Sequence, residues 1–200
     1  MESSTGRRTT TGTTAATTPG PTTEERLVAR AVAPQEADDA GLRRDLLATW
    51  VDVSEAGGAV GFVPPVDPAA VASALDHLLD RVRSGTDVLV VLQEEPSGRV
   101  VGLGVLVRGT VALTAHWRTV RRLMVRPERQ GRGAGRLLLE GVHDAARDLG
   151  LEQLALTVRG GQGLEPFYER LGYVECGRMP GALRIAPGDD RDEVQMVRRL

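Results

Sequence analysis

The segment Gln130-Gly131-Arg132-Gly133-Ala134-Gly135-Arg136 constrains this chain more than any other. It follows an apolar strand end, Leu123-Met124-Val125. It opens a helix whose expected buried stripe is Ala134, Leu138, Val142, Ala145 and Leu149. A helix N-terminus presents free backbone N–H groups and a partial positive charge. Glycines let an anion approach those donors, and Arg129, Arg132 and Arg136 add formal charge. The segment reads as a phosphate site, and a diphosphate is its natural occupant. A merely tight strand-to-helix turn would not call for three glycines interleaved with arginines.

Three kinds of anion loop compete for this reading. The nucleoside-triphosphate loop needs Gly-Lys-Ser/Thr, and the chain contains no lysine. The dinucleotide fingerprint wants its third glycine where Arg136 stands, within an early strand–helix–strand unit. The third pattern, Gln/Arg-x-x-Gly-x-Gly/Ala, is met by Gln130, Gly133 and Gly135.

With that pattern, Leu123 to Leu139 resembles motif A of the GNAT acetyltransferases. Leu154 to Tyr173, containing Phe167-Tyr168-Glu169-Arg170-Leu171-Gly172-Tyr173, resembles motif B. The resemblance extends over residues 27 to 200. A further set of pieces is similar to the tabtoxin-resistance acetyltransferases, which acetylate a small amino-acid-like toxin. These pieces are Gly57-Gly58-Ala59-Val60-Gly61-Phe62, Leu123-Met124-Val125, Phe167-Tyr168 and Pro180-Gly181.

The rest of the chain agrees with one domain. Two hundred residues can bury a core of ordinary size. Residues 1–23, rich in Thr, Ser and Gly, are expected to form a disordered tail without a secretory signal, leaving 24–200 as the GNAT domain. Apolar alternation and turn residues predict strands over 27–33, 88–93, 100–107, 117–125, 154–158, 173–178 and 193–199. Helices are expected from Pro34 to Val53, from Pro68 (capped by Asp67) to Arg83, from Gly133 to Leu149, and over 164–171. The expected fold class is α/β, a mixed and mostly antiparallel central sheet with helices on both faces, as in GNAT proteins. A formal net charge of −2 gives no global attraction to nucleic acid or membrane, and no run is long enough to span a bilayer. The single cysteine, Cys176, makes no intramolecular disulfide and no cysteine-based metal site, which fits the cytoplasm. No metal is expected, and the chain reads as a monomer or homodimer.

The GNAT resemblance implies acetyl-CoA as co-substrate and direct attack by an amine in a ternary complex. It puts the diphosphate on Gln130, Gly131, Arg132, Gly133, Ala134, Gly135 and Arg136, and the pantetheine on the backbone at Met124 and Val125. An amine of pKa ~10.4 must lose a proton, at roughly 4–5 kcal/mol, and the departing thiolate must gain one. Tyr168 is the candidate acid for the thiolate; Phe167 and Leu171 read as core. The acids that relatives carry on the fourth and fifth strands fall here on Thr119 and Thr157, so water, Glu55 or His116 is left to take the amine's proton. By strict alternation Thr119, Arg121 and Leu123 share one face of their strand, and Arg118, Val120, Arg122 and Met124 the other. Arg121 then points into the acceptor cleft, beside Thr119, and binds either a structural acid or the carboxylate of an amino-acid-like acceptor. Trp50, Phe62 and Trp117 are candidate apolar walls. A small-molecule amine, such as a toxin or antibiotic, is the first acceptor class. A protein or peptide amine, or a non-catalytic acyl-CoA-binding role, stand as alternatives.

Overall fold

The computed structural model describes residue 1 and residues 26–200, so the expected tail lies, but for residue 1, outside the described residues. The elements are β1 (Arg26–Ala31), a 3-10 turn (Pro34–Asp38), α1 (Ala40–Glu55), α2 (Pro68–Arg83), β2 (Val88–Glu95), β3 (Val100–Arg108), β4 (Trp117–Val125), α3 (Ala134–Asp148), β5 (Gln153–Arg159), α4 (Glu165–Glu169), β6 (Val174–Ala186) and β7 (Asp189–Arg199). The strands form one sheet in the order β1-β2-β3-β4-β5-β7-β6. Every neighbouring pair is antiparallel except β4 and β5.

Both faces of the central strands are buried, which explains the unbroken apolar run Val88 to Leu92. Leu89 and Val91 join Leu103 and Val105 under α1 and α2, against Leu46, Trp50, Leu75 and Leu78. Val90 and Leu92 join Leu106, Val120 and Leu154 under α3, against Leu138, Leu139 and Val142. Truncating a fully buried leucine such as Leu138 to alanine would cost about 2–5 kcal/mol. Gly141 lets α3 approach closely: a Cβ there would stand 2.6 Å from that of Ala29 on β1. Leu149, expected on the α3 stripe, lies past the helix end and is exposed.

Local signals set several boundaries. Asp67 caps α2 by accepting from Ala69 N at 2.9 Å, with Pro68 at the first position. The first helix begins later than expected. Residues 34–38 are a 3-10 turn, and Asp39 accepts from Leu42 N at 2.6 Å, starting α1 at Ala40. The last two strands are much longer than expected and form a hairpin that includes Pro180-Gly181. Its residues are mostly solvated and its register shifts three times, so no apolar alternation marks it. Tyr173, expected to begin β6, precedes it and is buried.

Two irregularities shape the middle of the sheet. β4 and β5 pair only at Trp117↔Gln153, Arg118↔Leu154 and Thr119↔Ala155, and then part. Between β3 and β4, Leu103 faces Met124 and Val105 faces Arg121, so two residues of β4, Arg122 and Leu123, oppose the single Gly104. This is a β-bulge, with Arg122 at φ 54°. It overturns the strict alternation expected of β4. Thr119, Arg121 and Met124 pair with Val107, Val105 and Leu103 on the α1/α2 face, and Arg122 joins them there. Leu123 moves to the α3 face, with Val120 and Val125.

Candidate active site

The turn from β4 into α3 leaves the start of the helix open. Pro127 to Arg129 make a short 3-10 turn, and Gln130 returns to extended backbone. The side-chain amide of Gln130 then donates to the Val125 carbonyl at 2.7 Å, closing the turn on its own strand. Gly131 and Gly133 have φ of 75° and 83°, left-handed values that favour glycine. Leu137 N donates to Gly133 O at 3.0 Å, the first bond into α3. The six amides from Gly131 to Arg136 donate to no backbone carbonyl among the described residues. Gly133 supplies no side-chain cap, so the helix end is open to a ligand.

The loop arginines differ in availability. Arg132 is exposed and has no ion pair among the described residues. Arg136 pairs with Glu140 at 2.8 Å on the helix surface, a contact that solvent screens. Arg129, expected to add charge to the loop, instead pairs with the buried carboxylate of Glu94 on β2, which Arg99 also approaches at 3.7 Å. Arg129 braces the loop against the sheet.

Beyond the cradle lies the slot between β4 and β5. From Val120 to Val125 one backbone edge of β4 bonds to β3, and the other has no strand beside it. Leu156 to Arg159 leave the facing edge of β5 equally unpaired while its far edge bonds to β7. Met124 and Val125 have buried side chains, so it is their backbone that can serve a ligand. An extended chain carrying amides can enter such a gap as an added strand. A diphosphate on Gly131–Arg136 would place the chain attached to it at this gap.

Tyr168 follows Phe167 on α4, next to the start of α3. α4 brings Phe167 within 3.7 Å of a Cβ on Gly135, at the start of α3. Tyr168 packs edge-on against Phe167 (5.0 Å) and against Tyr173 (5.7 Å). Its hydroxyl makes no hydrogen bond among the described residues. Burial pushes its pKa up to about 12, so it remains a neutral O–H donor throughout the physiological range. Behind it Tyr173 is fully buried, and its hydroxyl meets His143 Nε2 at 3.1 Å. Arg198 donates to His143 Nδ1 at 2.6 Å, which leaves Nε2 as the N–H donor toward Tyr173. Burial, reinforced by Arg198 and Arg147, holds His143 down to about 4.

On the opposite face of the slot lie Thr119, Arg121 and Arg122. Arg121 is exposed and has no ion pair among the described residues. Trp50 is not an open wall of this face: it is 0 % exposed, its Nε1 donates to Val60 O at 3.1 Å, and Arg122 lies over its ring. Phe62 is half-buried beside it, with ring centroids 5.8 Å apart. Strict alternation hides Arg122, and the bulge is what turns it to this side. Glu55 and His116 are the other residues expected as candidates for the amine's proton. Glu55 accepts from Val66 N at 2.8 Å and ties down the loop after α1. His116 is exposed, and its backbone carbonyl accepts from Glu152 N at 2.8 Å.

A parted parallel strand pair thus leads to an open helix N-terminus, with α4 packed beside it. A sequence model of the acetyltransferase (GNAT) domain matches residues 68–180, more than half of the chain. The chain belongs to this family and is an acetyl-CoA-dependent N-acetyltransferase. Solved structures share its fold. A ribosomal-protein-alanine N-acetyltransferase from Brucella melitensis is 22% identical with a TM-score of 0.67, covering 86% of this chain and 99% of that one. The yncA protein of Salmonella typhimurium, solved with its cofactor acetyl-CoA, is 17% identical with a TM-score of 0.66, covering 88% and 94%. The spermidine/spermine N-acetyltransferase SpeG of Vibrio cholerae is 18% identical with a TM-score of 0.62, covering 86% and 92%.

Proposed function

We propose that this chain transfers the acetyl group of acetyl-CoA to the amine of a small, amino-acid-like molecule, a class that includes toxins and antibiotics. The observation that carries the reading is the run of six amides at Gly131–Arg136 with no backbone acceptor among the described residues, at the helix end that follows the unpaired edge of β4. Bound acetyl-CoA supplies an activated acyl carbon and a thiolate leaving group. The amides of Gly131 to Arg136 and the guanidinium of Arg132 hold its phosphates. Backbone N–H groups on the open edge of β4 near Met124 and Val125 orient the pantetheine arm and polarise the thioester carbonyl, the Val125 carbonyl being taken by Gln130. Tyr168 gives its proton to the departing sulfur. Thr119 and Thr157 cannot accept the amine's proton, so water carries it away from the open face.

The acceptor enters from the side of Thr119 and Phe62, where the exposed Arg121 adds positive charge that draws a carboxylate toward this face. The relatives' names cover very different acceptors, a ribosomal-protein alanine and the polyamines spermidine and spermine. The adjacent cations Arg121 and Arg122 favour the amino-acid-like class over a polyamine. Similarity to the tabtoxin-resistance acetyltransferases and a cytoplasmic location belong to the same proposal. The test is a thiol-release assay with acetyl-CoA against amino acids, amine-bearing antibiotics, polyamines and peptides. Turnover confined to peptides would overturn the small-molecule reading. Acetyl-CoA binding without turnover of any amine would overturn the enzymatic mechanism.

A further inference from the structure

We propose that Arg122 is the anion-recognition residue of the acceptor site, so that the amines this chain acetylates carry a carboxylate. The inference rests on the acetyltransfer reading above and narrows its acceptor to one charge class.

Arg122 sits at the bulge of β4 with φ 54°, a conformation that residues with a Cβ seldom adopt. Strand pairing on both sides, Val105↔Arg121 and Leu103↔Met124, imposes it. The result is a side chain turned onto the α1/α2 face, its guanidinium carbon 4.6 Å from the centroid of the Trp50 ring. Trp50 is a fixed platform, fully buried and hydrogen-bonded through Nε1. Stacking occupies the flat face of a guanidinium and leaves its in-plane N–H donors free. None of those donors finds an acceptor, and no carboxylate pairs with Arg122, among the described residues.

Several other arginines have an acid beside them. Arg43 is held by Asp76, Arg81 by Asp87, Arg126 by Asp52 and Arg184 by Asp190. Asp87, the one acid with a favourable field at Arg122, is already taken: it accepts from Arg81 at 2.6 and 2.8 Å and from Arg108 N at 2.9 Å. Burial and the neighbouring Arg121 push the pKa of Arg122 down. A half-buried cation with no counter-charge is held at a cost that an incoming anion relieves. A carboxylate matches the planar fork that the stacking leaves exposed. The same positive potential favours a neutral amine over an ammonium, which suits a face whose strand positions Thr119, Ala155 and Thr157 offer no base.

The experiment compares amino acids with their own amides, and includes spermidine, in the thiol-release assay. The native enzyme is expected to favour the acid over its amide by about tenfold or more in kcat/KM, and to turn over spermidine poorly. Arg122→Met keeps an apolar contact with Trp50 and removes the fork. Its acid-over-amide ratio is expected to fall to about threefold or less through a raised KM for the acid, with acetyl-CoA affinity retained. Arg122→Lys, which keeps charge without the planar fork, is expected to fall between the two. Equal losses on acid and amide would show a merely structural role and overturn the inference, as would a native preference for amides or spermidine. Absence of turnover with every amine would instead overturn the acetyltransfer reading on which the inference stands.

Discussion

Gln130 and Val125 are joined by a 2.7 Å hydrogen bond from the side-chain amide to the carbonyl, across the turn proposed to hold the phosphates. The bond gives the last carbonyl of β4 a partner and fixes where Gly131 begins. Gln130→Ala removes that partner and frees the turn. Stability should fall by about 1 kcal/mol in urea unfolding, and acetyl-CoA should bind more weakly by calorimetry. An unchanged affinity would mean that the turn keeps its shape without the bond.

Arg132 gives a cleaner probe of the cradle than a glycine does, because any side chain at Gly133 also meets the strain of φ 83°. It is exposed and unpaired among the described residues, so Arg132→Ala should leave the unfolding midpoint within about 0.5 kcal/mol of native. Loss of a hydrogen bond to a phosphate should weaken acetyl-CoA binding by about tenfold or more. Equal affinity for native and variant would remove Arg132 from the phosphate site.

Tyr168→Phe retains the ring contacts with Phe167 and Tyr173 and removes only the hydroxyl. Transfer should slow by about 10²–10⁴-fold while acetyl-CoA affinity stays near native. With a pKa of about 12, the phenol should add no falling limb to the native rate profile between pH 6 and 9. A variant within about threefold of native turnover would make Tyr168 a packing residue rather than the acid.

His143 predicts a pH dependence of stability. The folded protein holds it at about 4, chiefly by burial, against about 6.5 in an unfolded chain. Below pH 6.5 the unfolded chain takes up a proton that the folded protein refuses. Its contribution of about 3 kcal/mol is therefore present above pH 6.5, is lost as the pH falls toward 4, and then levels off. Carboxylates held low by their partners, Asp76 and Asp190 among them, weaken the fold only below their ordinary range near 4. Urea unfolding at pH 7.5 and 4.5 should show a smaller drop for His143→Gln than for the native chain. An identical drop would assign the effect to other groups.

Much of the geometry of the turn from β4 into α3 is legible in the sequence. A glycine-rich turn after an apolar strand, followed by an amphipathic helix, specifies its own geometry through local backbone preferences, and the caps of α2 and the run of β2 are read in the same way. Those signals span a few neighbouring residues. What the chain does with residues far apart is not legible. Arg129 reads as one more loop cation because Glu94, its partner, lies on another strand. The β6–β7 hairpin reads short because solvated strands carry no apolar alternation.

The proposed acceptor face shows the division most clearly. The sequence determined that Arg121 and Arg122 lie side by side on a strand and that no acid stands at Thr119. Tertiary pairing with β3 decided the bulge, because two residues of β4 must share the space opposite Gly104. That single extra residue moves Leu123 to the α3 face and sets Arg122 over Trp50, which is brought from α1 seventy-two positions away. The parting of β4 from β5 is likewise a property of the assembled sheet. Strand register is settled by which faces can be buried together, and that depends on every element packed against the sheet at once.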